Sequence, residues 1–105
     1  MEVNGKELGM AYTVGAHTEW QNWVVANPNK SLADAKLESV IIMHKWWCLQ
    51  NKIPEKQRVT REEILAQPFA IFDEMTNLAE AVMKGDKHQS IEARSKNRKS
   101  AAGND

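Results

Sequence analysis

Very little in this chain can cross-link, chelate or force a bend. A single cysteine, Cys48, excludes an internal disulfide and a multi-thiolate zinc site. Three prolines and five glycines among 105 residues exclude collagen-like and low-complexity architectures. No sign of charge is in excess: 14 basic side chains cancel 14 acidic ones, so no whole-molecule field draws in nucleic acid or membrane. Long apolar runs are missing too. The longest aliphatic stretch, residues 40–43, falls far short of the roughly 20 residues that a bilayer span needs. Residues 1–10 lack the basic-then-apolar order of a signal peptide, and the expectation is a soluble, cytoplasmic chain.

What is present is an ordinary globular mixture, 42% apolar and 27% charged, of a size that holds one core. Charge is unevenly spread. Residues 86–105 carry Lys87, Arg94, Lys96, Arg98 and Lys99 against Asp86, Glu92 and Asp105, which leaves the body slightly acidic. Ile91 is the one large apolar residue of that segment, too little to offset the entropy of ordering it. The expected organisation is a single domain over residues 1–85 and a disordered basic tail over 86–105. No internal repeat is visible.

The chain opens with hairpin chemistry. Asn4-Gly5 suits a type I′ turn, because both residues tolerate positive φ. Val3 precedes it, and Leu8, Met10, Tyr12 and Val14 alternate with smaller or polar residues after it, which predicts one apolar strand face. Helical spacing takes over after Gly15. Trp20, Trp23 and Val24 share a face of a short helix that Asn27-Pro28 should end. Ser31 with Asp34 forms a capping box ahead of a helix to about Gln50, apolar over more than half its circumference and therefore expected to be buried. Thr60 with Glu63 begins a second box and a short helix, broken at Gln67-Pro68. A last helix carries Phe72, Met75, Ala79 and Val82 as its stripe, with Gly85 as its expected stop. The predicted fold is mainly α-helical, three to four helices behind a short N-terminal β-hairpin.

Reactive constellations are sparse. His44 and Cys48 share a helix face at i and i+4, but a third metal ligand would have to come from His17 or a carboxylate, and no close-spaced motif supplies one. Cys48 follows two tryptophans in an apolar run, whereas a reactive thiol wants an exposed, electropositive setting. The pairs Glu62/Glu63 and Asp73/Glu74 are adjacent and diverge on a helix, and no glycine-rich phosphate loop exists. These features argue against an enzyme and against a bound metal or cofactor. They also argue against sequence-specific DNA binding, since the tail's basic residues have no aromatic platforms among them and the proline-joined helix pair is acidic.

Tryptophan is the exception. Four in 105 residues come as Trp20/Trp23 and Trp46-Trp47. Neighbours on a helix diverge by about 100°, so Trp46 and Trp47 cannot both fill one small core face. Either all four are core, or some anchor a partner chain, a role in which tryptophan is enriched. Trp20, Trp23, Trp46 and Trp47 are therefore the candidate partner-binding residues.

The order of features carries a resemblance. Val3-Asn4-Gly5-Lys6-Glu7-Leu8, running into Tyr12-Thr13-Val14-Gly15-Ala16, resembles tail assembly chaperones of long-tailed phages and prophages of Gram-positive bacteria. So do the segment from Val59 through Thr60, Glu62, Glu63 and Leu65 to Pro68, and the polar basic tail. The resemblance runs from Met1 to about Lys84. It implies a non-enzymatic, mainly helical protein that coats the aggregation-prone tape-measure protein until tail-tube subunits displace it, and that self-associates into a homo-oligomer. It supplies no catalytic residue. Two alternatives stay open: a small phage packaging or regulatory protein acting on nucleic acid through Lys96, Arg98 and Lys99, and a structural component of the tail or neck.

Overall fold

The computed structural model describes the backbone of residues 1–101 and the side chains of residues 1–85. Within them the chain is mainly α-helical behind a two-stranded antiparallel hairpin. The order is β1 (Glu2–Val3), β2 (Lys6–Glu7), α1 (Val14–Ala26), α2 (Leu32–Gln50), a 3₁₀ turn (Glu55–Gln57), α3 (Arg61–Leu65) and α4 (Phe69–Ala101).

Asn4 and Gly5 both take positive φ, +53° and +75°, as the hairpin turn demands. Glu2 faces Glu7 and Val3 faces Lys6 in the ladder, and Leu8 N–H closes it on the Met1 carbonyl at 2.7 Å. The strand is shorter than the alternation predicts. After Glu7 the chain leaves the ladder and forms no regular element up to Thr13, with Leu8 and Met10 buried and Tyr12 half-buried. Alternation fails at Val14, which is 85% exposed and already helical. The cause is Thr13, whose hydroxyl accepts from Ala16 N–H at 3.0 Å and caps α1. An N-cap signal in the middle of an alternating run wins over the run.

Both capping boxes form, Ser31 with Asp34 and Thr60 with Glu63. α1 ends at Ala26, where Asn27 caps it and sends its side-chain amide to the Trp23 carbonyl at 2.8 Å. α2 closes in a Schellman arrangement: Ile53 N–H reaches the Cys48 carbonyl at 2.9 Å, and Lys52 takes the left-handed position with φ +52° that glycine usually fills. Gly85 does not stop α4, which continues to Ala101. A glycine stops a helix where it takes positive φ, and Gly85 does not. The tail expected to be disordered, residues 86–105, has its side chains and residues 102–105 outside the described part.

α2 is the central element, packed on α1 and on α4. Val40, Ile42 and Met43 on α2 cluster with Val3, Leu8 and Met10 of the N-terminal arm (residues 1–13), Met75 and Ala79 of α4, Ile64 of α3 and Val59 of the connector (residues 51–60), all buried. Each large aliphatic or thioether side chain so buried contributes about 1.5–3 kcal/mol. Glu38 is buried on α2 as well and is paired with Arg61 of α3.

Candidate interaction surface

The four tryptophans are all half-buried, and three of them are held by specific contacts inside the chain. Trp20 donates its indole N–H to the Ala35 carbonyl at 3.0 Å, which ties α1 to α2. Trp46 donates to Glu19 Oε1 at 3.0 Å; Lys45 pairs with the same carboxylate and stands 5.6 Å above the Trp46 ring. The divergence of Trp46 and Trp47 is resolved by two glycine slots. A Cβ on Gly15 of α1 would sit 2.4 Å from the Trp46 ring, and one on Gly9 of the arm 2.0 Å from the Trp47 ring. Trp46 therefore seats α1 and Trp47 seats the arm. The outer side of Trp47 lines an open cleft of about 350 Å³ with Gly5, Lys6, Glu7, Ile53 and Gln57. Trp23 lies one turn along α1 from Trp20, with its carbonyl taken by Asn27.

His44 and Cys48 are brought together, but as a structural bridge. His44 is 4% exposed, and both its nitrogens are in use: Nδ1–H donates to the Gly9 carbonyl at 2.8 Å, and Nε2 accepts from Val59 N–H at 3.0 Å. Trp47 stacks on its ring at a centroid distance of 5.9 Å. Cys48 Sγ lies 3.4 Å from Nε2, and burial pushes its thiol pKa up, the opposite of what a nucleophile needs. His17 pairs instead with the Tyr12 hydroxyl. Among the described residues no three His, Cys, Asp or Glu side chains gather as a metal site.

The surface itself carries large apolar side chains that the tryptophan argument did not single out. Leu65 is 60% exposed and Phe69 is 73% exposed, side by side across the Gln67-Pro68 break. With Leu37, Ile64 and Phe72 they border a cleft of about 220 Å³ between α2, α3 and the start of α4. Phe69 and Phe72 rings stand 5.8 Å apart, tilted at 48°. A second apolar cleft of about 190 Å³ runs between α1, α2 and α4, bordered by Trp20, Leu32, Ala35, Ala79 and Met83. Leu32 at its rim is 72% exposed, and Val25 on α1 is 77% exposed. The signal for the first cleft lay in Leu65-Ala66-Gln67-Pro68-Phe69: a proline that separates two helices leaves the apolar residues on either side of it without a shared helical face to bury.

Comparison of the chain with protein-family models, curated proteins and solved structures finds no match. Among the described residues no helix is long and apolar enough to cross a membrane.

Proposed function

We propose that this chain is a non-enzymatic, cytoplasmic assembly chaperone of the phage tail type, which self-associates and shields apolar helical segments of a tape-measure protein until tail-tube subunits displace it. The observation that carries the reading is the exposure of Leu65 and Phe69 beside a cleft lined by Leu37, Ile64 and Phe72. An amphipathic helix presenting apolar anchors at i, i+3 and i+4 fits such a surface. Aromatic anchors at the centre of a contact contribute most of its energy. The tryptophans keep a part in this reading, Trp20 at the rim of the second cleft and Trp47 at the arm cleft, while Trp46 seats α1. The resemblance of residues 1–84 to tail assembly chaperones supports the choice of partner.

The test is size-exclusion chromatography with light scattering, run on the protein alone and after co-expression with a tape-measure fragment. Concentration-dependent oligomers and a co-eluting complex are expected. A strict monomer that ignores the fragment refutes the reading.

A further inference from the structure

The arm and the connector, neither of them α-helical, are both fastened to α2 through one imidazole. The Gly9 carbonyl requires a donor from His44, and Val59 N–H requires an acceptor. Only the neutral ring offers one of each, with the proton on Nδ1. An imidazolium has two donors and no lone pair, so the buried Val59 N–H would face a second N–H. We propose that His44 is an acid-operated latch: a proton taken up on Nε2 releases the connector at Val59 from α2, while Nδ1–H keeps the Gly9 carbonyl and the packing of α2 on α1 and α4 stays in place.

The groups around the ring are named by the elements that pack on it. Cys48 faces it from α2 itself, Glu7 acts on it from β2 and Arg58 from the connector. Burial chiefly holds the imidazole below the ordinary histidine range; the Gly9 hydrogen bond opposes it, Arg58 adds to it and Glu7 opposes it. A histidine lowered in the folded state contributes stability that is complete above its unfolded value of about 6.5 and is lost as pH falls through the folded value. The latch thus opens on acidification. What it frees is specific. Val59, buried at 6% exposure, leads into the Thr60 cap of α3, while the arm stays tied to α2 by Gly9 on Nδ1–H and by Ala11 N–H on the Met43 carbonyl at 3.0 Å. α1, α2 and α4 keep their own backbone ladders, which is the condition for a partial rather than global opening.

The experiment is hydrogen exchange on the full chain, corrected for intrinsic rates, from about pH 7.5 to about pH 5, the range in which histidine titrates. The variant H17Q/H88Q leaves His44 as the single histidine and keeps both of its backbone partners, Gly9 and Val59, and H44Q keeps a side-chain acceptor for Val59 but cannot titrate. In H17Q/H88Q, protection at Val59 is expected to fall by about fivefold to a hundredfold, the effect of stranding one buried amide, while Ala11, whose acceptor is the Met43 carbonyl, is expected to hold. Protection along α2 and the start of α4 is expected to hold, and H44Q is expected to show no such local loss. Unchanged protection at Val59 in acid, or a loss spread evenly over the arm, α2 and α4, overturns the proposal. H17Q/H88Q carries the test alone where H44Q does not fold.

Discussion

Adding one methyl group at Gly9 should cost more stability than most core truncations of a methylene. The new Cβ would lie 2.0, 2.2 and 2.6 Å from three atoms of the Trp47 ring, so the indole must leave its slot or the arm must lift. A buried aromatic ring removes about 150–250 Å² from water, and about half of that at ~25 cal/mol per Å² amounts to about 2–3 kcal/mol. Lifting the arm is no cheaper, because the Gly9 carbonyl is the acceptor for His44 Nδ1. Against a total stability of about 5–15 kcal/mol this is a large fraction. The slot also sets the sign of a second substitution. With Trp47→Ala in place the slot is empty, and since Gly9 does not take positive φ, Gly9→Ala then acts through the unfolded chain alone and should be neutral or stabilising by about 0.4–1 kcal/mol. Urea titrations of the four proteins of this cycle, followed by far-UV circular dichroism, give the coupling energy, expected near 2 kcal/mol or above. Additive effects, or a Gly9→Ala protein as stable as the parent, would refute the slot.

Other expectations are smaller. Lys52→Gly should stabilise the fold by about 0.5–1 kcal/mol in thermal or urea melts, because a left-handed residue with a Cβ is relieved at φ +52°. Gly85→Ala, in open space within α4, should raise helicity and stability by about 0.5–1 kcal/mol, the opposite sign from Gly9→Ala, in the same melts. Glu63 accepts from Lys6 Nζ at 2.8 Å, from Thr60 N–H at 3.0 Å and from Asn4 at 3.1 Å, and these bonds hold its carboxyl at about 2. A lowered carboxyl stabilises the fold above its ordinary range and loses that contribution as pH falls towards 2. The stability gap between the parent and Glu63→Gln should therefore narrow from about pH 4.5 downward, measured as the urea midpoint against pH.

The parts of the fold that were legible in the sequence depend on neighbours a few residues apart. Asn4-Gly5 makes its turn, Ser31/Asp34 and Thr60/Glu63 make their capping boxes, and the apolar girth of residues 37–49 puts α2 at the centre, because each needs only local geometry. The misreadings are contests between two local rules. Thr13 capped a helix where alternation ran on to Val14, and Gly85 was read as a stop although nothing nearby forces it out of the helix. The long-range relations left no mark. Gly9 and Gly15 are small because indoles lie against them, and Trp46 and Trp47 come from 31 to 38 positions away in the chain. His44 is neutral and buried because two backbone groups, Gly9 and Val59, need what only a neutral ring supplies. Phe69 and Leu65 are exposed because Pro68 parts their helices, and nothing in the spacing says which side of that break faces the core.

The proposed chaperone role stands or falls on the cleft at the α3–α4 break. Its most direct test is co-elution of a co-expressed tape-measure fragment with the parent, with Leu65→Ser/Phe69→Ser, and with Val25→Ser, an exposed apolar control on α1 that does not line that cleft. Both variants change exposed side chains and should keep the parent's thermal stability within about 1 kcal/mol. The double variant is expected to lose the complex while Val25→Ser retains it. A Leu65→Ser/Phe69→Ser protein that binds the fragment as the parent does would contradict the account.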